Sequence, residues 1–98
     1  MKLVEEIGLP ELSSEQIEQL CTKAEDAARK YVLSRLPKKA VERLDISVEA
    51  EDTKPLDLKV EVDLVLSPRT KDVDCAKIVD QSVKEAFKAG EIFLRKLT

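Results

Sequence analysis

The chain has no histidine, no asparagine, no tryptophan, two glycines, two cysteines and an aromatic content of 3%. Each scarcity removes a class of function. Without histidine there is no ordinary Ser-His or Cys-His pair for nucleophilic catalysis. Two cysteines and no histidine leave too few ligands for a structural zinc site, which takes about four. Gly8 and Gly90 stand far apart and cannot build a glycine-rich phosphate loop. With one Tyr and two Phe, a platform for stacking several bases is also missing. No run approaches the ~20 apolar residues a bilayer span requires, and the N-terminus lacks a signal-peptide core, so a cytoplasmic protein without membrane contact is expected.

What is present is charge and alternation. Charged residues make up 38% of the 98 residues, the net charge is −3 and the pI about 5.1. That balance argues against a general duplex binder, which carries a strongly basic face. Abundant Lys and Glu with few thermolabile side chains is a hyperthermophile pattern. The length suits one domain, residues 1–98, with a thin core that a partner would help to complete.

The clearest pattern lies between Leu44 and Ser67. Leu44, Ile46, Val48 and Ala50, then Leu56, Leu58, Val60, Val62, Leu64 and Leu66 are apolar at every even position, while the odd positions are mostly Asp and Glu. Strict alternation predicts a half-buried antiparallel hairpin, turning around Asp52 to Pro55. Placing Glu51 opposite Asp57 sets Glu49 against Lys59, Ser47 against Glu61 and Asp45 against Asp63, the last pair repulsive.

Helices flank this hairpin. Ser13 and Gln16 are spaced as a capping box, with Leu12 and Ile17 as its staple. The helix they open runs to about Arg35, with a stripe at Ile17, Leu20, Cys21, Ala24, Ala27, Ala28, Tyr31 and Val32, and Pro37 stops it. Pro37 to Arg43 reads as a connector. Pro68 ends the second strand, and Asp72 or Asp74 caps a helix reaching about Lys96, with a stripe that includes Cys75, Val79, Val83, Ala86, Gly90, Phe93 and Leu97. Gly90 inside a helix implies a close approach, with Ala24, Ala27 and Ala28 as candidate neighbours. Residues 1–12 are broken by Gly8 and Pro10, and Lys2-Leu3-Val4 is a candidate for a brief edge strand. The expected fold is therefore α+β: helix, β-hairpin, helix, with both helices on one face of a small antiparallel sheet. Because a two-stranded hairpin is marginal alone and both of its strands are edges, pairing with a second chain is expected.

Three constellations are candidates for function. The basic cluster Arg29, Lys30, Arg35, Lys38, Lys39 and Arg43 straddles the end of the first helix. It either complements the helix dipole or contacts RNA phosphates. The acidic sheet face Asp45, Glu49, Glu51, Asp57, Glu61 and Asp63 is a solvated outer surface, a dock for a basic partner, or a cation site, although a flat face spreads carboxylates too far for converging oxygens. Leu56, Leu58, Phe87, Ile92 and Leu94 form a candidate protein interface. Cys21 and Cys75 are either two buried thiols or a disulfide joining the helices. No catalytic, cofactor or metal residue emerges, and no enzyme acting alone is expected.

The element order, the connector Val32-Leu33-Ser34-Arg35-Leu36-Pro37, the hairpin Ile46 to Leu66 and the helix Ala76 to Leu97 resemble two related groups. One is a set of short archaeal proteins without an assigned function. The other is the Pcc-type small dimerising subunit of the KEOPS complex, which modifies tRNA with threonylcarbamoyl-adenosine. The resemblance spans about Ser13 to Leu97. It implies a non-catalytic accessory or assembly subunit that dimerises, homo- or hetero-typically, contacts an ATP-dependent catalytic subunit largely through helices, and helps hold tRNA. A Pcc-type fold is β-α-β-β-α, so here the first strand is missing or reduced to Lys2-Leu3-Val4. A stand-alone dimeric RNA-binding module is the alternative.

Overall fold

A computed structural model describes residues 2–9, 11–51, 56–70 and 73–97, with only the backbone of Ile7, Glu51 and Leu56. The elements are β1 (Lys2–Leu9), α1 (Ser14–Arg35), a 3-10 turn (Lys38–Ala40), β2 (Val41–Glu51), β3 (Leu56–Leu66) and α2 (Cys75–Lys96). The sheet is antiparallel with order β1-β3-β2. β1 and β2 thus run parallel to each other with β3 between them. The expected α+β fold holds, with one correction: the first strand is eight residues long and β3 is the central strand, not an edge.

β1 escapes a sequence reading because its inward row is interrupted. Residues 3, 5, 7 and 9 pair with residues 62, 60, 58 and 56, and of that row Leu3 and Leu9 pack against the core. A glutamate in that row breaks the period-2 signal, and only at an edge, where Glu5 remains exposed, is it tolerated. The hairpin register is the expected one, including Asp45 opposite Asp63 and Glu49 opposite Lys59. The turn expected at Asp52 to Pro55 lies outside the described residues.

The caps explain the helix starts. The Gln16 N–H donates to the Ser13 hydroxyl oxygen at 3.2 Å and the Ser13 N–H donates to the Gln16 amide oxygen at 2.9 Å. Asp74 caps α2 by accepting from the Lys77 N–H at 3.1 Å; Asp72, its alternative, lies outside the described residues. Both helices pack on the inner face, α1 over β2 and α2 over β3 and β1, and run antiparallel to one another. The core is built from Leu20, Ala24, Ala28 and Val32 of α1, Leu58, Val60, Val62 and Leu64 of β3, and Val79, Val83, Ala86 and Phe93 of α2. Gly90 faces Leu20 and Leu58 rather than the alanines of α1. In β2 the inward row Leu44, Ile46, Val48 and Ala50 is only half-buried, whereas the facing residues of β3 are fully enclosed.

Cys21 and Cys75 are free thiols. Cys21 lies near Ala50 and Glu49, and burial pushes its pKa up. Cys75 points toward the Leu64 carbonyl at 3.9 Å, near the other end of the sheet.

Candidate nucleic-acid interface

The antiparallel layout brings the end of α1, the 3-10 turn, the end of β3 and the approach to α2 to one end of the molecule. There they enclose a cleft of about 750 Å³. Arg35, Lys39 and Arg69 supply its charge, Leu36, Pro37 and Val73 its apolar wall, and Ser67 and Thr70 its hydroxyls. No carboxylate lines it among the described residues. The loops are tied together through Ala40: its carbonyl accepts from the Ser67 N–H at 2.8 Å and from the Thr70 hydroxyl at 3.5 Å, while its own N–H donates to the Pro37 carbonyl at 2.9 Å. The Thr70 N–H donates to the Ser67 carbonyl at 2.9 Å. The Arg35 guanidinium lies 5.2 Å from the Tyr31 ring centroid, a cation–π contact that restrains it. Among the described residues none of Arg35, Lys39 and Arg69 forms an ion pair, so their charge is available to an anion.

This arrangement divides the basic cluster read from the sequence. Arg35 and Lys39 converge in the cleft, and Lys38 is exposed beside them on the 3-10 turn. Arg29 does not join them: it pairs with Glu25 at 2.9 Å, in a separate hollow beside Leu44 and Ile46. Lys30 lies in the groove between the helices. Arg43 is withdrawn altogether. The strand alternation puts it on the outer sheet face with the other odd positions, where its guanidinium meets Asp45 at 3.2 Å and Asp63 at 2.8 Å. It thereby relieves the repulsion those two carboxylates would otherwise suffer. Lys2 adds a second bridge on that face, to Glu61 at 2.6 Å, which raises the pKa of its ammonium group. The acidic face is therefore crossed by three cations, Lys2, Arg43 and Lys59. No group of three or more acidic or cysteine side chains is placed to hold a metal among the described residues. Arg69 stands apart in sequence from the stretch that carries the other basic residues and joins Arg35 and Lys39 only through the β2–β3 pairing.

The candidate protein interface is likewise rearranged. Leu58 is fully enclosed in the core and offers nothing to a partner. The side chain of Leu56 lies outside the described residues. Phe87 and Leu94 are half-buried against the core, while Ile92 is 45% exposed. Ile92 lines a groove of about 330 Å³ between the helices, together with Ala27, Ala89 and Phe93 and the charged residues Lys23, Asp26, Lys30 and Lys96. No helix among the described residues is long and apolar enough to cross a membrane.

Residues 9–93 match the family described as "Protein of unknown function (DUF3194)". An uncharacterized protein of Thermococcus kodakarensis is 33% identical over 91 residues, spanning 93% of this chain and 83% of the relative. One from Pyrococcus furiosus is 31% identical over 98 residues, spanning 100% of this chain and 87% of the relative. A crystal structure from Thermococcus onnurineus superposes with a TM-score of 0.88 at 33% identity, covering 99% of this chain and 93% of that one. The solution structure of a hypothetical protein from Methanothermobacter thermautotrophicus gives 0.75 at 26% identity, covering 92% and 97%. These sources are thermophilic archaea, in keeping with the composition.

Proposed function

We propose that this chain, which belongs to the DUF3194 family of archaeal proteins, is a non-catalytic accessory subunit of a tRNA-modifying complex of the KEOPS kind. The observation that carries the reading is the element order. With β1 present over Lys2–Leu9, the chain runs β-α-β-β-α, the order of Pcc-type subunits, and the one departure expected from the sequence is gone. Two surfaces support a role in assembly. The eleven-residue β2 edge carries an inward apolar row that its own helices cover only in part, which suits extension of the sheet by a second chain. The groove at Ile92 offers a helical partner an apolar strip bordered by three lysines and Asp26.

The test is reconstitution of the purified chain with a Pcc-type subunit and the ATP-dependent catalytic subunit, followed by sedimentation. Association is expected, and Ile92→Glu should abolish it while the circular dichroism stays unchanged. No association, or equal assembly by the variant, would sink the reading. A stand-alone RNA-binding module is the second reading, favoured by the basic cleft. It predicts tRNA binding by the isolated chain without any protein partner.

A further inference from the structure

The cleft around Arg35, Lys39 and Arg69 combines features that a general electrostatic surface lacks. It is concave and of ligand size, since small-molecule sites run from about 300 to 1,000 Å³. Its cations come from three separate segments, the last turn of α1, the 3-10 turn and the loop after β3. Between them stand an apolar wall and two hydroxyls. A bare phosphate would need the cations alone, whereas the apolar surface that Pro37 and Val73 leave beside them, backed by the buried Leu36, suits a base or a ribose. A duplex presents phosphates, sugars and base edges outward, but its base faces are stacked and paired and cannot lie against an apolar wall. An unpaired nucleotide uses all of it: phosphate on the cations, base or ribose against the wall, and the Thr70 or Ser67 hydroxyl within the same cleft.

We propose that this cleft holds one nucleotide of an unpaired RNA strand, its phosphate clamped by Arg35, Lys39 and Arg69. The inference rests on the RNA-handling role proposed above and deepens it by naming the form of RNA. The cleft is preorganised, because the hydrogen bonds through Ala40 join the 3-10 turn to the loop after β3 before any ligand arrives. The charge is local, so an acidic protein of net charge −3 still presents a positive end. With no aromatic side chain among the residues that line the cleft, affinity depends on phosphates and should fall steeply with salt.

The experiment is fluorescence anisotropy of the full chain with a labelled ten-nucleotide oligouridylate and, in parallel, an RNA duplex of equal length. Each is measured over a range of salt concentrations. Arg69→Glu and Lys39→Glu should each weaken binding to the single strand by about tenfold, and Arg69→Ala should reduce the slope of log K against log salt by about 0.7. Lys88→Glu makes the same charge change on the exposed side of α2, outside the cleft, and should shift affinity less than twofold. The duplex should bind at least tenfold more weakly than the single strand. All three altered residues are solvent-exposed, and circular dichroism will show that the variants fold. Equal losses in Lys88→Glu and Arg69→Glu, equal binding of duplex and single strand, or no binding by the unaltered chain would each overturn the proposal. If Arg69→Glu leaves tRNA binding intact, the RNA-handling role survives and the cleft is the wrong site. Failure of assembly with the catalytic subunit bears on the accessory role alone.

Discussion

Replacing Gly90 with alanine sets two effects of similar size against each other, and the packing decides which wins. In a helix interior the change alone should stabilise by about 1 kcal/mol through backbone entropy. A Cβ at this position, however, would stand 3.2 Å from Leu20 Cδ1 and 3.8 Å from Leu58 Cδ2. Carbon atoms pack best at ~3.5–4.0 Å, so Leu20 must yield. It has little room to do so, because Leu20 and Leu58 are both fully buried and already fill the space between α1, α2 and β3. Overpacking of this kind costs ~1–3 kcal/mol. The expected net result for Gly90→Ala is a loss of about 1 kcal/mol, or ~4–8 °C in Tm for a domain of this size. The decisive assay is a double-mutant cycle by guanidinium unfolding. Leu20→Ala alone should cost ~2–5 kcal/mol, but in that background Gly90→Ala no longer meets the Leu20 methyl and should stabilise by about 1 kcal/mol. The coupling between the two positions is then about 2 kcal/mol. If Gly90→Ala stabilises the unaltered protein, or has the same effect in both backgrounds, the close approach of α2 to Leu20 is not what this glycine serves.

Two further outcomes follow from the sheet and the helix faces. Arg43→Ala leaves Asp45 and Asp63 opposed across the β2–β3 pair; because the site is largely exposed, the loss should be ~0.5–1 kcal/mol in urea at low salt and should vanish near 1 M NaCl, and a salt-independent loss would show that Arg43 acts by packing instead. Cys21, whose pKa is raised chiefly by burial, favours the neutral thiol in the folded state. Its contribution to stability is therefore intact below the thiol's ordinary titration range and is lost as pH climbs through the raised folded value. Alkylation at pH 9, followed by mass spectrometry, should be slower at Cys21 in the native protein than after urea unfolding, and equal rates would refute the shielding.

Much of the architecture was legible because it depends on local periodicity. The facing of the hairpin follows from apolar residues at even positions: a slip by one residue would turn them outward, and the short connection between the strands selects the observed pairing among those that keep them inside. The Ser13 and Asp74 caps are equally local, each needing only an oxygen-bearing side chain three residues before a backbone N–H. β1 was not legible beyond a trace, since Glu5 interrupts its inward row and Gly8 weakens its propensity. Its length is set by pairing with β3, some 50 residues further along the chain. The same holds for the candidate sites. Six basic residues lie close in sequence, but helical rotation sends Arg29 and Lys30 elsewhere, and strand alternation puts Arg43 on the acidic face with Asp45 and Asp63. Leu58, one apolar residue among many in the pattern, proved to be core because β3 is flanked on both sides.

By itself, then, the sequence determined that this protein is a small α+β domain with two capped helices over a hairpin of known register, and that it lacks the side chains of ordinary nucleophilic or zinc chemistry. These are matters of short-range spacing and of inventory. Only the tertiary structure decided that β3 is central, that β2 keeps a half-covered apolar row, and that Arg69 joins Arg35 and Lys39 around one cleft. Each of those depends on which segments meet across long separations. That choice is made by the joint burial of several apolar faces at once, which no single stretch of residues encodes.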